Sequence, residues 1–207
     1  MKLGDFVRKF VTPALKAEGL IRVRGDFQIS SENGDRAFIG FSDYRVDPDV
    51  TVFEVSYFMV PMPYWQWMTR QHAGPVEPDR SGALMTCRVN PPREVVYNPD
   101  GDDPFDARWC FKEGEEGECG RILVERLRGS VVPEMRRLLD RAALLDRLNG
   151  SSAPRIARLD PLMREVVLIV DSAPVDEVRR ILSTAEGEGT LPAFIQWARR
   201  RLEGRAA

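Results

Sequence analysis

The chain has 207 residues, with 32 acidic and 30 basic side chains, a formal net charge of −2, 43% hydrophobic and 30% charged residues. That balance belongs to a folded globular protein; it excludes a disordered chain and a whole-molecule field that would gather nucleic acid or acidic lipid. No apolar run approaches the ~20 residues of a membrane helix, and the start, "MKLGDFVRKF", has neither the apolar segment nor the cleavage site of a signal peptide.

Leu3, Phe6, Val7, Phe10, Ala14 and Leu15 recur at helical spacing and predict an amphipathic first helix. Pro13 lacks the amide proton of its turn and predicts a kink or loosened end, and Gly19 a left-handed cap. A β-meander follows. "LIRVR" and "FQIS" alternate about a Gly25-Asp26 turn, and Asn33-Gly34 has the composition of a type I′ turn. "RAFIGFSDY" and "VTVFEVSYFMV" are the next strands, joined at Asp47-Pro48-Asp49. In the last strand Phe53, Val55, Tyr57 and Met59 share a face to be buried under the first helix. Glu54 and Ser56 share a face to be wetted, as in an antiparallel sheet.

"YFMVPMPYWQWM", residues 57 to 68, passes from that strand through Pro61 and Pro63 into a short helix. Trp65 and Met68 fall on one side and Tyr64 and Trp67 on another, and one neighbour cannot bury both unless the helix is sandwiched. The expectation is that Trp65 and Met68 are buried, and that Tyr64 and Trp67 are partly exposed along a concave edge. Residues 70 to 106 form a long excursion rich in Pro, Gly and Asp, with one strand at "ALMTCRV". From Arg121 a helical stripe of Leu123 and Leu127 is interrupted at Pro133, continues through Met135, Leu138, Leu139, Ala142 and Leu145, and ends at Asn149-Gly150. Three shorter helices follow: one opened by Asp160-Pro161, one by Pro174, and one capped by Thr190.

The fold class is therefore α+β: an N-terminal helix on an antiparallel β-meander, then a long kinked helix and a C-terminal set of short helices. "GSSAP" marks the expected boundary between a domain of residues 1–150 and a helical extension of 151–207 docked on it.

The stretches "FVTPALKAEGLIRVRGDFQIS", "FIGFSDY" and "VFEVSYFMV", with the later "RWCFKEGEEGECGRILVERLRGSVVPEMRRLLD", resemble the bacterial domain of unknown function 4304 family over roughly residues 3 to 148. The resemblance implies an α+β fold and supplies no catalytic residues. It also carries the expectation of a toxin-neutralising, immunity-like role.

His72 is the only histidine, so any Ser-His-Asp or Cys-His arrangement would have to use it. It stands in a loop without a GxSxG elbow, where a solvated histidine is the simpler reading. One histidine and the dispersed Cys87, Cys110 and Cys119 lack zinc-ligand spacing, so no metal is expected. The odd cysteine count without CxxC points to a reducing cytoplasm. Asn98 to Glu118 carries eight acids against Arg108 and Lys112, yet the calcium-loop template fails at Asp103 and Trp109. Neither GxxxxGK[ST] nor GxGxxG occurs, and Arg199 to Arg201 read as the charged outer face of a helix.

No catalytic residue and no cofactor are assigned. The candidate binding residues are Tyr64 and Trp67 on the aromatic edge, His72, Asp102 and Asp103 in the excursion, and Glu115 and Glu116 in the acidic turn. The leading expectation is a non-enzymatic bacterial binding or adaptor protein of the cytoplasm, with a protein partner or small ligand, and without nucleic acid or membrane. The alternative is an enzyme using His72 and the carboxylates of residues 70–118 on a small molecule.

Overall fold

A computed structural model describes residues 1–47, 49–70, 76–97, 107–150, 155–156 and 159–206. The fold is α+β with an antiparallel sheet, helical at its start and again at its C-terminal end. In chain order the elements are α1 (Leu3–Phe6), α2 (Thr12–Ala17), β1 (Ile21–Val23), β2 (Asp26–Ser30), β3 (Arg36–Asp47), β4 (Val50–Val60), α3 (Met62–Thr69), β5 (Met85–Arg88), β6 (Val96–Tyr97) and β7 (Arg108–Lys112). They continue with α4 (Glu116–Arg126), α5 (Val132–Leu138), α6 (Arg141–Asn149), β8 (Arg155–Ile156), α7 (Pro161–Ile169), α8 (Val175–Gly187) and α9 (Pro192–Ala206).

The chain forms two compact units that alternate along it. The first gathers Met1–Ile29, Ala37–Phe58 and Cys87–Arg136; the second gathers Ser30–Arg36, Met59–Thr86 and Arg137–Ala207. A cut at Gly150 does not follow these lines, because α7 packs against α3 and α6 inside the second unit.

In the first unit α1, α2 and a π-helical turn between them, Val7–Val11, lie on the sheet. Phe6 stacks on Phe111 of β7 at 4.6 Å between ring centres and meets Phe53 of β4 at 5.5 Å. The first helix thus lies on Phe53 of the face predicted for it. The proline is accommodated upstream: the amide of Thr12 bonds to the carbonyl of Val7, five residues back, and Pro13 stands in the first turn of α2. Pro133 is met in the same way, by a π turn at Leu127–Val131 closed by the amide of Val132. The two helical runs pack together at Gly120, where an added Cβ would fall 2.6 Å from the ring of Phe10. Arg128 and Arg136 both reach Glu18 at the end of α2, whose carboxyl is held below its ordinary range chiefly by the Arg128 hydrogen bond.

The turns differ from expectation in detail. Gly19 has φ +81° and caps α2 as predicted. The β1–β2 turn is Arg24-Gly25, with φ +51° and +97°, not Gly25-Asp26, because Asp26 already pairs with Val23. Gly34 has positive φ and Asn33 does not, so this loop is not type I′; the amide of Gly34 bonds to Ser31 and that of Ser31 to Asp35. The face of β4 predicted to be wetted is partly closed, with Val52 and Ser56 buried. The expected helix from Arg121 to Asn149 begins at Glu116 and is broken before α6, where the Asp140 carboxylate accepts from the amide of Ala143. Asp160 caps α7 as expected. Thr190 does not cap α9: its hydroxyl is buried without a hydrogen-bond partner.

The second unit surrounds α3. Trp65 lies against Gly82, leaving no room there for a Cβ, and donates its indole N–H to Val76 at 2.9 Å. Trp67 packs edge-on to Phe194 at 5.2 Å and beside Trp197 at 5.8 Å, and the Arg70 guanidinium caps its ring. The helix is therefore sandwiched. Tyr64, Trp65 and Trp67 are all buried, and Met68 is the exposed member at 49%; the partly exposed Tyr64–Trp67 edge expected from spacing does not exist. A chain of charges links three segments of this unit. Arg141 forks onto buried Asp35 at 2.7 and 2.8 Å and reaches Asp171 at 3.0 Å; Arg201 bonds Asp171 and Gln66.

Two outcomes are expected. Trp65→Ala and Trp67→Ala should each cost about 3–5 kcal/mol in denaturant unfolding, because both remove a buried ring. Burial draws the Asp171 carboxyl upward, but the hydrogen bonds and charges of Arg201 and Arg141 outweigh it and leave it lowered. A carboxyl lowered on folding adds stability above its unfolded value of about 3.9 and loses it as pH falls through the folded value. Asp171→Asn should flatten the acid limb of the melting temperature below about pH 4 and leave the neutral-to-alkaline shape unchanged.

Candidate surface depression in the first unit

Within the first unit, the start of α1, the β3–β4 connection and the end of β7 converge on an open depression of about 1400 Å³. Phe6 sets this arrangement, since its contacts with Phe53 and Phe111 bring the first turn of α1 over β4 and β7. Leu3, Val50 and Phe111 give the depression an apolar part, with Lys2, Asp5, Arg8, Asp43, Asp49, Lys112 and Glu113 as its charges. Arg8 and Asp5 pair at 3.1 Å, and the Thr51 hydroxyl donates to the carbonyl of Met1 at 3.0 Å. Tyr44, 37% exposed, contributes the aromatic surface, and the Arg108 guanidinium lies 4.5 Å from its ring centre.

Behind this surface the sheet carries a fixed polar group. Arg108 and Cys110 alternate along β7 with Trp109 and Phe111, so they stand on the face away from Phe6. On β4 the Ser56 hydroxyl donates to Glu54 at 3.1 Å, and Glu54 pairs with Arg88 of β5 at 3.3 Å.

The predicted acidic residues fall into two groups. Glu115 accepts from the amide of Lys112, and Glu116 from that of Gly114 at 3.0 Å. Backbone amides, its own first, hold the Glu116 carboxyl below its ordinary range. Both residues thus shape the turn into α4, where the acids of the first helical turn also meet the positive end of the helix dipole. Glu113 of the same run reaches the depression. His72, Asp102 and Asp103 lie outside the described residues. Tyr64 and Trp67 belong to the core of the second unit.

The residues that line the depression were not singled out from the sequence. The one local sign was "DYRVDPD", an aromatic among acids at a strand end, and nothing local ties it to Lys2, Arg8 or Lys112. Among the described residues no group of three or more His, Cys, Asp or Glu side chains converges closely enough for a metal ion, and no helix is long and apolar enough to cross a membrane. No family model, curated protein or solved structure matches the chain.

The three thiols are free. Burial pushes Cys119 up to about 12 and raises half-buried Cys110, with Glu115 adding to the latter. Neither supplies a thiolate near neutral pH. Cys87 and Cys119 are buried, so iodoacetamide at pH 8 should leave both unmodified in the native protein, as read by peptide mass mapping, and should label all three thiols after denaturation.

Proposed function

We propose that the protein is a non-enzymatic binding protein, and that the depression of the first unit receives a polypeptide segment of its partner. The observation that carries this reading is the depression's size and make-up. Small-molecule pockets enclose about 300–1,000 Å³ and bury most of their ligand within apolar walls. This one is larger and open, with charges of both signs around Tyr44 and a smaller apolar part. Such a surface suits backbone and mixed side chains of a second polypeptide, with aromatic and arginine contacts as the anchors. Acids stand among the basic residues, which disfavours a phosphate backbone as the partner. The free thiols support a reducing, cytoplasmic setting. Toxin neutralisation is one form this binding would take, with the toxin as the polypeptide partner.

The test uses a displayed library of random peptides selected on the full-length protein. Selected peptides should shift the amide resonances of residues 43–44 and 111–113. Tyr44→Ala and Lys112→Glu should each weaken them about tenfold or more, roughly 1.4 kcal/mol, without lowering the melting temperature. Peptides that bind elsewhere, or bind both variants unchanged, would overturn the proposal.

A further inference from the structure

We infer that the outer edge of β1 takes an extended, acidic strand of another protein by strand addition. This surface is separate from the depression, and the inference does not rest on it.

β1 stands at the end of the strand order and pairs on one side only, with β2, in the register Ile21↔Gln28, Arg22↔Phe27 and Val23↔Asp26. Its other side presents the N–H and C=O of Arg22, since Ile21 and Val23 turn theirs toward β2 in this register, and no strand among the described residues takes them up. All three of its residues are exposed, including two large apolar ones, Ile21 at 57% and Val23 at 37%. Alternation sets Ile21 and Val23 on one face and Arg22 on the other, where its guanidinium lies over the ring of buried Phe27 at 5.5 Å. Both ends of the strand are held. Leu20 is buried and its amide closes the end of α2 onto Leu15, and the Arg24-Gly25 turn fixes the far end. The edge is thus short and pre-formed, which lowers the ordering cost of adding a strand.

Charge selects the occupant. An antiparallel pairing of two copies centred on Arg22 would set Arg22 directly against its own copy, and like charges so placed are destabilising. The same residue, with exposed Arg24 beyond it, favours a strand carrying Asp or Glu on that face. Ile21 and Val23 favour apolar side chains on the other. The matching segment therefore alternates apolar and acidic residues, its backbone supplying affinity and its side chains the choice of partner.

The probe is a synthetic peptide of alternating valine and glutamate, compared with one of alternating valine and lysine, on the full-length protein. The glutamate peptide should shift the amides of residues 21–23 and protect that of Arg22, the one aimed at the free edge, with the lysine peptide about tenfold weaker or more. Arg22→Glu should reverse that preference, and Arg22→Gln should abolish it, at unchanged melting temperature. Shifts confined to other surfaces, equal binding of the two peptides, or an Arg22→Glu variant that keeps the glutamate preference would overturn the inference. So would a concentration-dependent dimer lost on Ile21→Asp, which would assign the edge to a second copy.

Discussion

Phe6 is the residue on which the first unit turns. Its ring stacks on Phe111 and leans on Phe53, so one side chain joins the first helix to two strands that are far apart in sequence. Tight packing makes this contact a positional constraint as well as a hydrophobic gain. Seating Phe6 places Leu3 and Asp5 over the edge of β4 and β7, and the depression follows from that placement. The β4–β7 ladder, which sets Val50 opposite Lys112, and the hydrogen bond from Thr51 to the Met1 carbonyl also hold the helix start, the β3–β4 connection and the Lys112–Glu113 corner together.

The rest of the first helix depends on a second constraint, the close approach at Gly120. No side chain larger than hydrogen fits against Phe10 there without displacing the ring. Each of the two helical runs that meet here contains a proline, and each absorbs it in a π turn that moves the unsatisfied carbonyl out of the regular ladder. Glu18 then ties the end of one run to Arg128 and Arg136 of the other. Exposed ion pairs of this kind contribute little stability each, so the packing at Gly120 and the burial of Val11, Leu123 and Leu127 hold the pair.

The second unit uses polar groups where the first uses phenylalanines. Asp35 is almost fully buried and would be costly alone; Arg141 answers it with two hydrogen bonds, and the amide of Met62 with a third. That single carboxylate therefore organises the loop after β2, the start of α3 and the start of α6. Asp171 and Arg201 extend the chain to α7 and α9, where Trp67, Phe194 and Trp197 form the adjoining aromatic cluster.

Features set within a few residues were legible in the sequence. The apolar spacing from Leu3 to Leu15, the alternation of Phe53, Val55, Tyr57 and Met59, the glycine cap at Gly19 and the Asp160-Pro161 helix start all stand where local chemistry put them, because periodicity and backbone preference act over one or two turns. Spacing also separated Tyr64 and Trp67 from Trp65. It could not say how many neighbours α3 would have, and Gly82, Phe194 and Trp197, which bury both sides, come from distant parts of the chain. For the same reason the depression and the alternation of two compact units were decided only by tertiary structure. Which residues share a face is a property of the backbone, whereas what that face meets depends on contacts between segments that no local pattern encodes.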